Sequence, residues 1–379
     1  MSISFVDLNS QYERLRTTVH ARIDTVLQHG KYILGPEVGE LEQYLAEYCG
    51  AKHVVGVSSG SDALLMALMA HGIGPGDAVL LPAFTFTATA EVVLLVGARP
   101  VFVDVDADTF NVSPESLNAA IDALLQEGRY IPRAIIAVDL YGLPAPYAAL
   151  AEIAERHDML LVADAAQSFG AEQGEQRVGS LAPVSATSFF PAKPLGGYGD
   201  GGALFTDDEE LADRFRSIRA HGKGGEKYDI IRVGLNARLD TLQAAILLAK
   251  LEVFDEELAA RRKLADAYDN RLGNVVNTPS RVEGSKSAWA QYTIQVENRD
   301  EVAAALKSKG VPTAVYYPLP MHKQTAYAEF AEGAGDLSVS EGLSKTVLSL
   351  PMQPYLSDQE VETICDAVQE VVLESTDGT

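Results

Sequence analysis

Lys193 lies in Ser188-Phe189-Phe190-Pro191-Ala192-Lys193-Pro194-Leu195-Gly196-Gly197, a segment of aromatic residues, prolines and glycines that continues to Gly202. A lysine ammonium gives up its proton when it is taken out of water, and only the neutral amine attacks an aldehyde to form an imine. A second chemical group is Asp164, which ends the apolar run Met159-Leu160-Leu161-Val162-Ala163 and so falls at the carboxyl end of a strand. A third is the turn Ser58-Ser59-Gly60-Ser61-Asp62, between the strand-like Val54-Val55-Gly56-Val57 and a helical run over 63–69. Gly60 and Ser61 there present backbone N–H groups at the positive end of a helix dipole, where a phosphate monoester is stabilised without a lysine. Ser188, five residues before Lys193, adds a hydroxyl.

Singly, each feature has an ordinary explanation. A lysine among glycines is a solvated loop residue, an aspartate ending a strand is a turn or cap residue, and Ser59 or Ser61 is a helix cap. Jointly they ask for one cofactor, pyridoxal phosphate. The lysine holds its aldehyde as an imine, the aspartate keeps its ring nitrogen protonated so that the ring accepts electrons, and the helix start holds its phosphate. Neither GxxxxGK[ST] nor GxGxxG occurs near the turn, so a nucleoside triphosphate or a dinucleotide is not the natural guest.

These groups must be positioned by a regular frame. Strands predicted over 54–57, 78–81, 101–103, 134–138 and 160–163 alternate with helical runs over 87–96, 116–125 and 147–156, which implies an α/β fold with a mostly parallel sheet between helices. Ligands collect at the carboxyl ends of such strands, where Gly60, Asp164 and Lys193 fall. Two helices joined at Gly35-Pro36 precede the sheet. A helix over 208–219, a glycine-rich loop at 221–225 and one long helix over 240–272 follow it. Beyond lies a smaller α/β part with a strand over 292–296, a helix over 300–309, a strand ending at Tyr316-Tyr317-Pro318 and a last helix over 358–373. The division is a large cofactor-binding domain with its amino-terminal arm over 1–250, and a linking helix with a small domain over 251–379. Residues 375–379 are expected to be disordered.

Lys and Arg number 30 against 53 Asp and Glu, a net charge of −23, which disfavours nucleic acid and anionic membrane as partners. Cys49 and Cys365 stand far apart with no CxxC, so neither a disulfide framework nor a zinc site is expected. The amino terminus lacks a basic segment and a long apolar core, and no window approaches ~18 apolar residues, so a cytoplasmic protein is expected.

Ala163-Asp164-Ala165-Ala166-Gln167-Ser168, the Lys193 segment and Gly234-Leu235-Asn236-Ala237-Arg238-Leu239-Asp240 occur in one order, and together they resemble the DegT/DnrJ/StrS-type sugar-nucleotide aminotransferases. The resemblance runs from Asp7-Leu8 to Pro351-Met352. It implies a fold type I pyridoxal phosphate enzyme acting as a homodimer with shared active sites. By the same resemblance Lys193 binds the cofactor and shuttles a proton, and Asp164 pairs with the ring nitrogen. Gln167 meets the ring hydroxyl, Phe86 the ring face, and Gly60, Ser61 and Ser188 the phosphate, which Asn236 reaches from the neighbouring subunit. Most relatives carry Thr where Ser61 stands. The subgroup resembled most aminates C3 of UDP-2-acetamido-2-deoxy-3-oxo-glucuronate with L-glutamate as donor, for surface polysaccharide biosynthesis. Arg238, Tyr316 and Tyr317 would there line the sugar site, although His often stands where Tyr316 does. Alternatives are another keto sugar, such as a dTDP-linked 3-keto or 4-keto hexose, a cofactor-binding regulator, or a dehydratase. Lys193 opposes the last two, since dehydrating relatives carry histidine in its place.

Overall fold

The computed structural model describes residues 3–226, 228–331 and 335–377. Seven strands form its large sheet: β1 His53–Val57, β2 Asp77–Pro82, β3 Arg99–Val103, β4 Ile131–Val138, β5 Leu160–Asp164, β6 Val184–Ser188 and β7 Gly202–Thr206. Their order is β1-β7-β6-β5-β4-β2-β3. The pairs β2–β3, β2–β4, β4–β5 and β5–β6 are parallel, whereas β7 runs antiparallel to both of its neighbours.

Helices α1 Leu8–His29, α2 Pro36–Cys49, α3 Gly60–Ala70, α4 Thr87–Leu95, α5 Pro114–Glu127, α6 Tyr147–Arg156 and α7 Glu209–Ile218 surround this sheet. Successive strand side chains point to opposite faces, and here both faces are covered. Val79, Ile136 and Val162 share a core with Leu64, Val93 and Phe215 of α3, α4 and α7. Their sequence neighbours Leu80, Ile135 and Leu161 pack instead with Leu117, Ile121 and Leu150 of α5 and α6. This two-sided burial explains why the strands read as nearly continuous apolar runs.

The long helix predicted over 240–272 is two helices, α8 Thr241–Leu251 and α9 Phe254–Leu272. Neither Gly nor Pro marks the break. Val253, at φ −118° and ψ 0°, leaves helical geometry and re-aims the chain. Residues 244–251 of α8 are buried without interruption, with Ala244, Leu247, Leu248 and Leu251 packed among Leu41 and Leu45 of α2 and Phe205 of β7, whereas α9 presents Leu264, Tyr268 and Leu272 to a second core. That second core also holds Tyr292 and Ile294 of β8 Tyr292–Gln295, Leu306 of α10 Arg299–Ser308, and Leu348 and Leu350. These leucines belong to β9 Val347–Leu350, which follows α11 Ser338–Thr346 and pairs antiparallel with β8.

Two further expectations are corrected. The chain before Pro318 is not a strand: only Ala314 bridges Ser349, since Pro318 and Pro320 have no N–H for a ladder and the Tyr316 carbonyl accepts instead from the Tyr141 hydroxyl. The predicted disordered tail is helical to Asp377 in α12 Asp358–Asp377, because no Gly or Pro interrupts the chain before Gly378. Residues 378–379 lie outside the described residues. Among the described residues, no helix is long and apolar enough to cross a membrane, and no cluster of three or more potential His, Cys, Asp or Glu ligands could hold a metal ion.

The second core is joined to the large sheet partly through Asp104, just beyond β3. Its carboxylate accepts the N–H groups of Val339 and Ser340 at 2.9 and 2.8 Å and the Ser340 hydroxyl at 2.5 Å, capping the first turn of α11.

Candidate active site

Asp164 is the last residue of β5 and is only 6% exposed. Burial pushes its pKa up, opposed by the Thr89 hydroxyl, which donates to Oδ2 at 2.8 Å, by the Ala166 N–H and by the charge of Lys193. Lys193 occupies the loop between β6 and β7. Its surface remains partly accessible, so a substrate can reach it, yet enough protein surrounds the amine to push its pKa below the usual lysine value, with Asp164 acting in the opposite direction. Among the described residues, no hydrogen bond or close ion pair occupies its Nζ. Such an amine is a nucleophile at a lower pH than a solvated lysine.

The loop is tightly folded. Phe189 N–H donates to Gly201 O at 2.8 Å, Gly197 N–H to Phe189 O at 2.7 Å, and Lys193 N–H to Phe190 O at 2.8 Å. A Cβ on Gly196 would stand 2.4 Å from Pro191 O, so this position requires glycine.

Gly60 and Ser61 open α3, whose cap is Ser59: its Oγ accepts the Asp62 N–H at 3.0 Å. The cap thus uses Ser59, and helix geometry leaves the N–H groups of Gly60 and Ser61 without intrahelical acceptors. Ser188, at the end of β6, lies directly against this turn. A Cβ on Gly60 would be 2.8 Å from Ser188 Cβ, so α3 and β6 can approach this closely only because Gly60 lacks one.

Phe86 precedes α4 and is 54% exposed, with its ring centre 6.1 Å from that of Tyr317. Gln167 is buried; its Oε1 accepts the Tyr141 N–H at 2.7 Å and its Nε2 donates to Tyr317 Oη at 3.3 Å. Tyr317, whose phenol is pushed up by burial, therefore stands on the Asp164 and Gln167 side of the cleft, with Tyr316 beside it at 5.9 Å between ring centres. Arg238 bridges Val57, three residues before Gly60, and Ser58 N–H donates to Ala237 O at 3.1 Å. The Arg238 guanidinium donates to Asn236 Oδ1, while its buried Nε has no partner among the described residues. The segment 236–238 thus borders the α3 turn, with Asn236 itself exposed.

The structure adds two residues to those found by motif. Thr89 is a helix residue of a Thr-rich stretch, and nothing short of the topology shows that it meets an aspartate 75 positions away. Asp139 follows β4 as Asp164 ends β5, and that shared strand-end placement was its available signal. It is fully buried and pushed up to about 7 by desolvation, although Ala145 N–H, the Tyr147 hydroxyl and the Ser168 hydroxyl all donate to it. Its own N–H donates to the Asp164 carbonyl at 3.1 Å, so it braces the turn after the site's carboxylate.

This set fits pyridoxal phosphate. A dry carboxylate gains a cationic partner from a protonated ring nitrogen, a desolvated amine meets an aldehyde, an exposed aromatic face awaits a ring, and the α3 turn packed on Ser188 presents main-chain donors to a phosphate.

Residues 13–369 match the DegT/DnrJ/EryC1/StrS aminotransferase family. The UDP-2-acetamido-2-deoxy-3-oxo-D-glucuronate aminotransferase of Pseudomonas aeruginosa is 49% identical over 97% of this chain and 99% of its own. A protein of Geobacillus stearothermophilus described as a pleiotropic regulatory protein is 42% identical over 98% of both chains. The crystal structure of a DegT DnrJ EryC1 StrS aminotransferase from Brucella abortus superposes with a TM-score of 0.96 at 51% identity, covering 97% of this chain and 99% of that one.

Proposed function

Because the chain belongs to the DegT/DnrJ/EryC1/StrS aminotransferase family, we propose that it carries the amino group of L-glutamate to C3 of UDP-2-acetamido-2-deoxy-3-oxo-glucuronate, for surface polysaccharide biosynthesis. The enzyme is a pyridoxal phosphate-dependent aminotransferase of fold type I. The sugar assignment is carried by the near full-length likeness to the Pseudomonas aeruginosa enzyme. It is supported physically by Arg238, whose unused Nε–H beside the α3 turn suits a carboxylate.

When bound, the cofactor supplies an electron sink for the pair released from a substrate C–H bond. Lys193 would hold the cofactor through its aldehyde, and its Nζ, once free, would carry the proton away from glutamate Cα; a water oxygen replaces the amino group on that carbon as 2-oxoglutarate leaves. In the second half the same Nζ would return a proton to the sugar's C3, where the amine replaces the carbonyl oxygen, which leaves as water. The carboxylate of Asp164, favoured by Thr89, the Ala166 N–H and Lys193 against its burial, would keep the ring nitrogen's proton in place. Gln167 orients the ring hydroxyl, Phe86 covers the ring, and Gly60, Ser61 and Ser188 hold the phosphate. Tyr316 and Tyr317 border the sugar.

The same reading makes the protein a cytoplasmic homodimer in which Asn236 serves the neighbouring subunit's phosphate. Exposed apolar side chains favour a partner surface: Phe86 and Phe190 near the site, and Ile230, Ile231 and Val233 in the loop before Asn236. Mixing Lys193→Ala with Asn236→Ala subunits should regenerate one intact site per dimer; proven exchange without recovered activity removes the shared site. For the substrate, mass detection of aminated product with glutamate and a panel of keto sugar nucleotides should single out the 3-oxo uronate. Preference for an uncharged dTDP-hexose would overturn that assignment.

A further inference from the structure

Tyr198, five residues beyond Lys193 in the β6–β7 loop, is gripped at two points by α8. Gln243 Oε1 accepts the Tyr198 N–H at 2.8 Å. The ammonium of Lys250, two turns along the same helix, lies 4.2 Å from the centre of the Tyr198 ring. From α1, Tyr12 meets that ring edge-on at 6.2 Å. Gln243 also lies flat against the loop's main chain. A Cβ on Gly197 would stand 2.8 Å from its Oε1, and one on Gly199 2.8 Å from its Nε2. Both glycines have ordinary φ angles, so close approach is what demands them there.

Lys250 has no part in the transfer of an amino group. It is 2% exposed, and a charge so placed is unfavourable unless something compensates it. Its compensation is the Tyr198 face and the charge of Glu257 on α9. Glu257 and Tyr12 also face Tyr198, and Asp164 is the charge that faces Lys193.

We propose that Gln243 and Lys250 are positioning residues for Lys193: by clamping Tyr198, α8 fixes where the Lys193 amine stands and how little water reaches it. The proposal rests on Lys193 being the residue that binds the cofactor. With the backbone bond or the cation removed, the loop slackens, water approaches the amine, and a cation at Nζ becomes easier to form.

The test is a pH titration of visible absorption in the cofactor-loaded enzyme, with kcat, the glutamate KM and melting temperature, for wild type, Gln243→Met, Lys250→Met and the double variant. The protonation midpoint of the lysine-bound chromophore should move up by about half a unit. In each single variant kcat should fall about tenfold with KM within about twofold. Lys250→Met should melt no lower than wild type, which separates lost positioning from lost stability. Since both residues act through Tyr198, the double variant should be no slower than the slower single. Wild-type midpoints in both singles, multiplicative losses in the double, or a kcat that falls only together with the melting temperature would each overturn the clamp. If Gln243→Met does not fold, the Lys250→Met midpoint decides alone. Borohydride trapping and peptide mapping distinguish the two ways of failing: a label away from Lys193 removes the underlying site, and a label on Lys193 with unmoved midpoints removes only the clamp.

Discussion

Lys193 and Lys250 both lose water, one in the loop between β6 and β7 and the other within α8, and both are pushed below the ordinary lysine pKa, Lys250 to about 8. Desolvation is the leading cause in each. Their surroundings differ in what remains open. Lys193 keeps accessible surface and faces the Asp164 carboxylate across a cleft, whereas Lys250 is closed in by a ring face and by α1. Dryness therefore makes a nucleophile only where an approach path survives; without one it leaves a buried charge that braces its neighbours.

The strongest way to sharpen that contrast is Lys193→Ala, which should abolish the covalent cofactor linkage and reduce turnover on the order of 10⁴-fold. The fold should persist by circular dichroism. Borohydride labelling of any other lysine in wild type would break the assignment. Asp164→Asn comes next. A neutral amide cannot hold the ring nitrogen's proton, so half-reaction rates should fall by about 10² to 10³ while cofactor retention changes little. Unchanged rapid-mixing rates would make Asp164 merely structural.

Arg238→Lys tests the polar edge of the same cleft. Lysine lacks the planar two-donor fork, so kcat/KM for a 3-oxo uronate should drop by the equivalent of about 1.5–3 kcal/mol, with a smaller loss for the uncharged hexose. Equal losses for both sugars would assign Arg238 to the cofactor or the interface.

The smallest expected effect lies on the Lys250 side and has the opposite sign. Its amine titrates near 8 when folded and near 10.5 when unfolded, so the unfolded chain binds more protons between those values and stability rises with pH across that window. Below pH 8 the full cost of a dry cation is present. Lys250→Met should therefore stabilise the protein by about 1–2 kcal/mol at pH 7, after allowing for the lost contact with Tyr198. The advantage should fade toward pH 10.5 in urea titrations. A variant less stable at pH 7 would show that the aromatic contact outweighs desolvation.

The difference between the two lysines also marks what could be read without coordinates. Lys193 stood out because Pro, Gly and Phe around it have no use for a solvated cation, and Asp164 because it closes an apolar strand. Lys250 sits in Leu247-Leu248-Ala249-Lys250-Leu251, where one charge on a helix looks like a wetted edge; its burial depends on α1 and on Tyr198, both distant in sequence. Five strands of the large sheet were readable from their apolar runs, but β6 and β7 on either side of the Lys193 loop, and the antiparallel direction of β7, were not. The turn at Val253 was not, since two cores rather than a local breaker dictate it. The irregular path of Tyr316 and Tyr317 likewise answers to Tyr141, 175 residues away, and Asp139 gains its meaning only when β4 is laid beside β5.

The turn at Gly60, packed against Ser188, offers a phosphate main-chain N–H groups. Donors that belong to the main chain are supplied by every residue except proline and at every pH, so no truncation of a side chain can erase them. Such a seat is lost by addition rather than deletion: one methyl group at Gly60, 2.8 Å from Ser188 Cβ, would crowd it. Tolerance at this turn should thus run opposite to that of a lysine-built anion site, indifferent to the loss of charge and intolerant of bulk.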